Sequence, residues 1–99
     1  MYMIAFKLNG PDGAYENLET AIKALGPWSN RLADCWIVES RFNARRIRDL
    51  MKPHLNLEAG DRVFVAQFNE NWAGSNMGQN FPEWIKRRDF APTRFTSAS

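Results

Sequence analysis

The stretch that most limits what this chain can become is Tyr2-Met3-Ile4-Ala5-Phe6-Lys7-Leu8, an apolar run that begins at the first residues and stops at Asn9-Gly10-Pro11. So short a run, closed by a Gly-Pro break, reads as a strand rather than a helix. Alternate residues of a strand point to opposite faces, which puts Ile4 and Phe6 on one side and Met3 and Ala5 on the other. Both sides are apolar, so the strand belongs in the middle of a sheet and each of its faces needs a cover. Lys7 is the exception at the strand's exit.

The remainder of the chain supplies partners for that strand. Asn9-Gly10-Pro11-Asp12-Gly13 reads as a turn with Asp12 as a candidate helix cap. Tyr15, Leu18, Ala21, Ile22 and Leu25 then recur at helical spacing, with Glu16, Glu19 and Lys23 off that stripe, until Gly26-Pro27 ends the helix. A hairpin follows, from Trp28 to Leu32, around Ala33-Asp34, and back through Cys35-Trp36-Ile37-Val38-Glu39. Asn43 caps a second predicted helix with Ala44, Ile47, Leu50 and Met51 on one face, and Pro53 is expected to stop it. The last predicted strand runs from Arg62 to Phe68.

This order, βαββαβ, predicts an α+β fold of the ferredoxin-like kind over residues 1–68, a four-stranded antiparallel sheet with both helices on one face. Residues 69–99 read as an irregular C-terminal extension that packs on this chain or on a dimer partner. Within it, the stretch Phe81 to Arg88 is expected to form a short helix starting at Pro82, and residues 93–96 are a candidate edge strand.

Alternation sorts the strand residues into an expected core face (Ile4, Phe6, Trp36, Val38, Phe64, Phe68) and a second apolar face (Met3, Ala5, Cys35, Ile37, Val63, Val65). Two helices cover only the first. The second must be covered by the C-terminal segment with Trp72, Phe81 and Trp84, or by another copy of the chain. The favoured expectation is a homodimer with Met3, Ala5, Lys7, Ile37, Val63 and Val65 at its interface.

Composition narrows the class of function. Ninety-nine residues, 44% of them hydrophobic, provide one core. A lone cysteine, Cys35, excludes an intrachain disulfide framework and a cysteine-based zinc site, and it is expected to serve packing. Neither a membrane span nor a signal-peptide pattern is present, so a cytoplasmic location without membrane contact is expected. Residues 1–40 carry three basic against five acidic side chains, and residues 41–99 carry ten against six. Positive charge therefore gathers in Arg41, Arg45, Arg46, Arg48 and Lys52, and again in Lys86, Arg87 and Arg88 with Arg94. Such clusters are either phosphate-binding surfaces or simply solvated helix faces. No glycine-rich phosphate loop appears, His54 has no spaced metal-binding partner, and Cys35 to Glu39 lacks the aromatic signature of an RNA recognition motif, so neither a cofactor nor a metal is expected.

The first strand, the amphipathic helix before Gly26-Pro27-Trp28, the Cys35-Trp36-Ile37-Val38 arm, the basic helix and Asp61-Arg62-Val63-Phe64-Val65 together resemble the small CRISPR-associated adaptation nuclease and its relatives, including the short proteins of the SinR family. The resemblance covers about residues 1 to 68. It implies a ferredoxin-like protomer and a dimer in which two sheets face one another. It also implies a metal-binding aspartate at the end of the first strand, and here that position is Lys7. An ammonium repels a hard cation that requires oxygen ligands, so the family's metal-dependent chemistry is not expected to carry over.

The expectation from the sequence is therefore a non-catalytic homodimer that binds DNA or RNA, or scaffolds a nucleic-acid-processing partner, through Arg41, Arg45, Arg46, Arg48, Lys86, Arg87 and Arg88. The alternatives are a metal-dependent nuclease using relocated carboxylates such as Asp12, Asp34 or Asp61, and a protein-interaction module such as an antitoxin or phage factor that docks through its aromatic C-terminal segment.

Overall fold

The N-terminal run forms β1, Tyr2–Lys7, and both of its edges are paired. In the computed structural model, which describes residues 1–11 and 13–90, β1 runs antiparallel to β3 (Cys35–Val38), with Ile4 opposite Trp36. It also runs antiparallel to β4 (Arg62–Gln67), with Ile4 opposite Val65. β2 (Trp28–Leu32) pairs with the far edge of β3, giving the order β2-β3-β1-β4 and an antiparallel four-stranded sheet. The central position expected for the first strand is the one it takes. Main-chain bonds extend its pairing at both ends, from the Phe68 N–H to the Met1 carbonyl at 3.0 Å and from the Phe6 N–H to the Asp34 carbonyl at 2.9 Å.

The helices form where periodicity and capping agree. α1 (Glu16–Lys23) carries Glu16 and Glu19 in its first turn and Lys23 in its last, each charge complementing the helix dipole. The candidate cap Asp12 lies outside the described residues. α2 (Ala44–Met51) begins as expected at Asn43, whose side-chain oxygen accepts the Arg46 N–H at 2.9 Å. Pro53 sits in the 3₁₀ turn Lys52–His54 that follows α2 directly. α3 (Phe81–Lys86) starts at Phe81 with Pro82 in its first turn, where a missing N–H costs nothing.

Tyr2, Ile4 and Phe6 of β1 and Trp36 and Val38 of β3 close on Leu18 and Ile22 of α1 and on Ile47 and Met51 of α2 to form the main core. Ile4, Ile22 and Ile47 are completely buried, and each contributes about 1.5–3 kcal/mol relative to an exposed side chain.

The expected phase of β4 is corrected by its register. Val63 pairs with Phe6 and Val65 with Ile4, so both valines share the face of the main core and pack against it, while Phe64 stands opposite Ala5 on the second face. Neither Val63 nor Val65 therefore belongs with Met3 and Ala5. Every residue from Val63 to Ala66 is apolar, so composition leaves two phases open, and pairing with β1 selects between them.

The second face is covered in part by the chain itself. Phe81 and Ile85 of α3 are buried with Met1, and Ile37, Phe68 and Met77 pack against them. Beside this cluster, Met3, Cys35, Ile37, Phe68 and Trp72 line an apolar cavity of about 360 Å³. Phe64 stays 63% exposed. The candidate edge strand at residues 93–96 lies outside the described residues.

Gly26 links α1 to β2 with φ +147°, and a Cβ at that position would overlap the Glu39 carbonyl. The backbone passes there because the Glu39 N–H donates to the Pro27 carbonyl at 2.9 Å. Gly26→Ala is therefore expected to destabilise the fold by at least about 1 kcal/mol, read as a lower urea midpoint with unchanged slope.

Candidate nucleic-acid interface

α2 presents its charge because its apolar residues are committed elsewhere. Ile47 and Met51 are fully buried in the main core, and the helix packs against β4, an edge strand of the sheet. The spacing of the helix then sends Arg45, Arg46, Arg48 and Lys52 outward, and all four are exposed, as is Arg41 just upstream.

These side chains differ in how available they are. Arg48 is bound to its neighbour, with Nη2 2.8 Å and Nε 3.0 Å from Asp49 Oδ1. That hydrogen bonding, reinforced by the fields of Arg48, Lys52 and Arg45, holds the Asp49 carboxyl below its usual pKa. The Arg46 guanidinium lies 5.7 Å from the centre of the Phe42 ring, a contact that orients it and leaves its N–H groups at the surface. Three arginines on this helix, with Arg41 before it and Lys52 just after it, form a strongly positive outer surface in which Asp49 is the acid of the helix.

The second basic group is not continuous with the first. Lys86 and Arg87 are exposed at the end of α3, whereas Arg88 is half-buried. The Arg88 Nε donates to the Trp84 carbonyl at 3.1 Å, and its guanidinium lies 5.2 Å from the Trp84 ring centre. α3 is anchored through Phe81 and Ile85 in the second cluster and α2 through Ile47 and Met51 in the main core.

The residues expected at a dimer interface divide as the register divides them. Met3, Ala5 and Ile37 are half-buried on the second face, Lys7 is exposed opposite Arg62, and Val63 and Val65 pack in the main core.

Of the three candidate acidic ligands, Asp12 is outside the described residues and Asp34 is exposed in the β2–β3 turn. Asp61 is buried, and its partners account for it completely. Oδ1 accepts the Asn9 N–H at 2.8 Å, Oδ2 accepts the Asn56 N–H at 2.9 Å, and the Tyr15 hydroxyl donates to both oxygens at 3.0 and 2.9 Å. Backbone donors at Asn9 and Asn56 are the main reason its carboxyl is held below the ordinary pKa, against the opposing effect of burial. This carboxylate ties the exit of β1, the entry to α1 and the approach to β4 together, which is a structural task. Among the described residues no three His, Cys, Asp or Glu side chains come together as a metal site. Burial raises the pKa of the Cys35 thiol, which keeps it protonated and weakly nucleophilic at neutral pH.

One feature on the opposite edge of the sheet has no counterpart in the sequence reading. Trp28 and Arg31 of β2 and Trp84 and Arg87 at α3 line a cleft of about 460 Å³. Trp84 and Arg87 are three apart, a spacing that places side chains on one side of a helical turn. Trp28 and Arg31 would alternate on a regular strand, but β2 has a register shift between Ser29 and Leu32, and a bulge of this kind re-aims the side chains that follow it.

No protein-family model, curated protein or solved structure matches this chain. Among the described residues no helix is long and apolar enough to cross a membrane.

Because the Asp61 carboxyl titrates lower in the folded state than in the unfolded one, its charged form contributes stability that is fully present above its unfolded pKa. That contribution is lost as pH falls through the folded pKa. Asp61→Asn is expected to melt below the parent chain at pH 7, with the gap constant down to about pH 5 and shrinking below about pH 4. Thermal melts of both chains across this range check it, and a gap independent of pH would mean that lost packing, not charge, is responsible.

Proposed function

We propose that this chain is a non-catalytic nucleic-acid-binding protein that grips the phosphate backbone through the outer face of α2. The observation that carries this reading is the exposed set Arg41, Arg45, Arg46, Arg48 and Lys52, with Asp49 as its single internal acid, on a helix whose other side is locked into the core. A helix anchored in the core with guanidinium groups directed outward suits phosphate recognition, since each planar fork presents several donors that match phosphate oxygens. The strand order β2-β3-β1-β4 supports a ferredoxin-like architecture with α1 and α2 on one face, and with it kinship to the small CRISPR-associated adaptation nucleases. Lys7 at the position of that family's metal-binding aspartate supports loss of the chemistry and retention of binding.

The assembly proposed with this reading is a homodimer, favoured by Phe64. A phenyl ring 63% exposed, beside half-buried Met3 and Ala5, is an apolar surface that a second copy would cover. The interface then comprises Met3, Ala5 and Phe64, with Lys7 and Arg62 at its rim, while Ile37 is already covered by α3. Light scattering at micromolar concentration is expected to return twice the 11.4 kDa monomer mass, and Phe64→Glu is expected to return the monomer without unfolding it. A monomer in the parent chain would remove the dimer and leave α2 untouched.

Fluorescence anisotropy of labelled duplex DNA and single-stranded RNA, titrated at several salt concentrations, tests the binding. With Arg48 already paired, about four free cations predict a fall of log K with log salt of roughly −3 to −4. Changing Arg45, Arg46 and Arg48 together to Glu is expected to abolish binding while leaving the circular dichroism spectrum intact. Affinity indifferent to salt and to these changes would make α2 only a solvated face.

A further inference from the structure

The cleft at the β2 edge has a chemistry of its own. Trp28 is 37% exposed there, Trp84 is half-buried, and the side chains of Arg31 and Arg87 stand with them in the lining. Asn30 and Asn80 add amide donors and acceptors, and among the described residues the lining contains no carboxylate. Further positive charge sits on the two indoles: the Lys23 ammonium lies 4.9 Å from the Trp28 ring centre and the Arg88 guanidinium 5.2 Å from that of Trp84. The Arg31 guanidinium lies against the loop before α3, where a Cβ added at Gly78, at φ +106°, would come within 2.8 Å of its Nη1.

Each of these features answers a separate part of one ligand class. Indole surfaces favour a flat aromatic group, guanidinium groups favour a phosphate, and amides read the donors and acceptors on the edge of a heterocycle. An apolar ligand would leave two arginines desolvated without partners, and a simple inorganic anion would leave the indoles unused. A volume of about 460 Å³ lies within the roughly 300–1,000 Å³ usual for small-molecule sites.

We propose that the cleft formed by Trp28, Arg31, Trp84 and Arg87 binds a single nucleotide unit, its base against the indoles and its phosphate on the two arginines. The unit is either a free nucleotide or one residue of a single strand, because a base stacked inside a duplex does not present its face to a protein. The site lies at the β2 edge of the sheet, whereas α2 packs against β4 at the other edge, so the proposal stands apart from the phosphate-binding role given to α2.

Tryptophan fluorescence of the full chain, titrated with adenosine monophosphate and separately with a ten-residue single-stranded oligoadenylate, tests it. Quenching is expected with at least one of the two. Quenching by the mononucleotide identifies a free nucleotide as sufficient, and quenching by the oligonucleotide alone identifies a single strand as the source. Arg31→Gln combined with Arg87→Gln alters two exposed side chains and is expected to weaken that binding at least tenfold at an unchanged melting temperature. A second readout needs no variant: nuclear Overhauser contacts from the base protons of the bound probe to the indole protons of Trp28 and Trp84. The chain with Arg45, Arg46 and Arg48 changed to Glu is expected to retain mononucleotide quenching, which separates failure of the cleft from failure of the α2 reading. No quenching by either probe, equal affinity in the Arg31/Arg87 variant, or base contacts elsewhere on the protein would overturn the proposal.

Discussion

Everything in this structure depends on β1 being paired along both edges and apolar on both faces. A strand in that position leaves none of its backbone donors to water along the ladder and accepts side-chain packing from two directions. The even-numbered residues Tyr2, Ile4 and Phe6 gather α1 and α2, and the alternate register, with Met1 and Ile37, gathers α3. The C-terminal segment is thus part of the fold up to Phe90: without it Ile37 and Phe68 would lie bare, a larger apolar exposure than Phe64 presents alone.

Charge is distributed around that frame in two distinct ways. Asp61 is enclosed by neutral donors from Asn9, Asn56 and Tyr15, and its negative charge serves to hold three chain segments in place. The arginines of α2 are the reverse case. Their stems leave a helix whose apolar side is buried, their heads remain in water, and among the described residues only Arg48 of them has a carboxylate partner. Buried charge that is fully hydrogen-bonded stabilises a fold, whereas exposed like charge repels itself and is favoured by a partner of opposite sign. This contrast, more than any motif, separates the structural Asp61 from the arginines proposed to meet a phosphate backbone.

How much of this was legible beforehand follows from the range of the interactions involved. The β1 run, the α2 cap at Asn43, the short α3 helix around Pro82 and the β2–β3 hairpin depend on neighbours a few residues apart, and the sequence pattern exposes them directly. The phase of β4 was not legible because Val63, Phe64, Val65 and Ala66 offer apolar side chains to both faces; only pairing with β1 separates the valines from Phe64. Asp61 looked like a possible metal ligand because its donors at Asn9 and Tyr15 come from a distant part of the chain. The cleft was hidden for two reasons together. Its Trp28 and Trp84 meet only in three dimensions, and the register shift in β2 breaks the alternation by which a strand is read.

The central claim is that α2 is the surface on which a nucleic acid phosphate backbone rests. Amide chemical-shift mapping of the isotope-labelled chain during titration with a short duplex DNA, whose stacked bases the β2-edge cleft cannot engage, at low salt addresses it residue by residue. The account predicts shifts concentrated at residues 41–52, reversed by added salt, with the Asp61 knot around Asn9 and Asn56 undisturbed. Shifts absent from α2 at saturating duplex would contradict it.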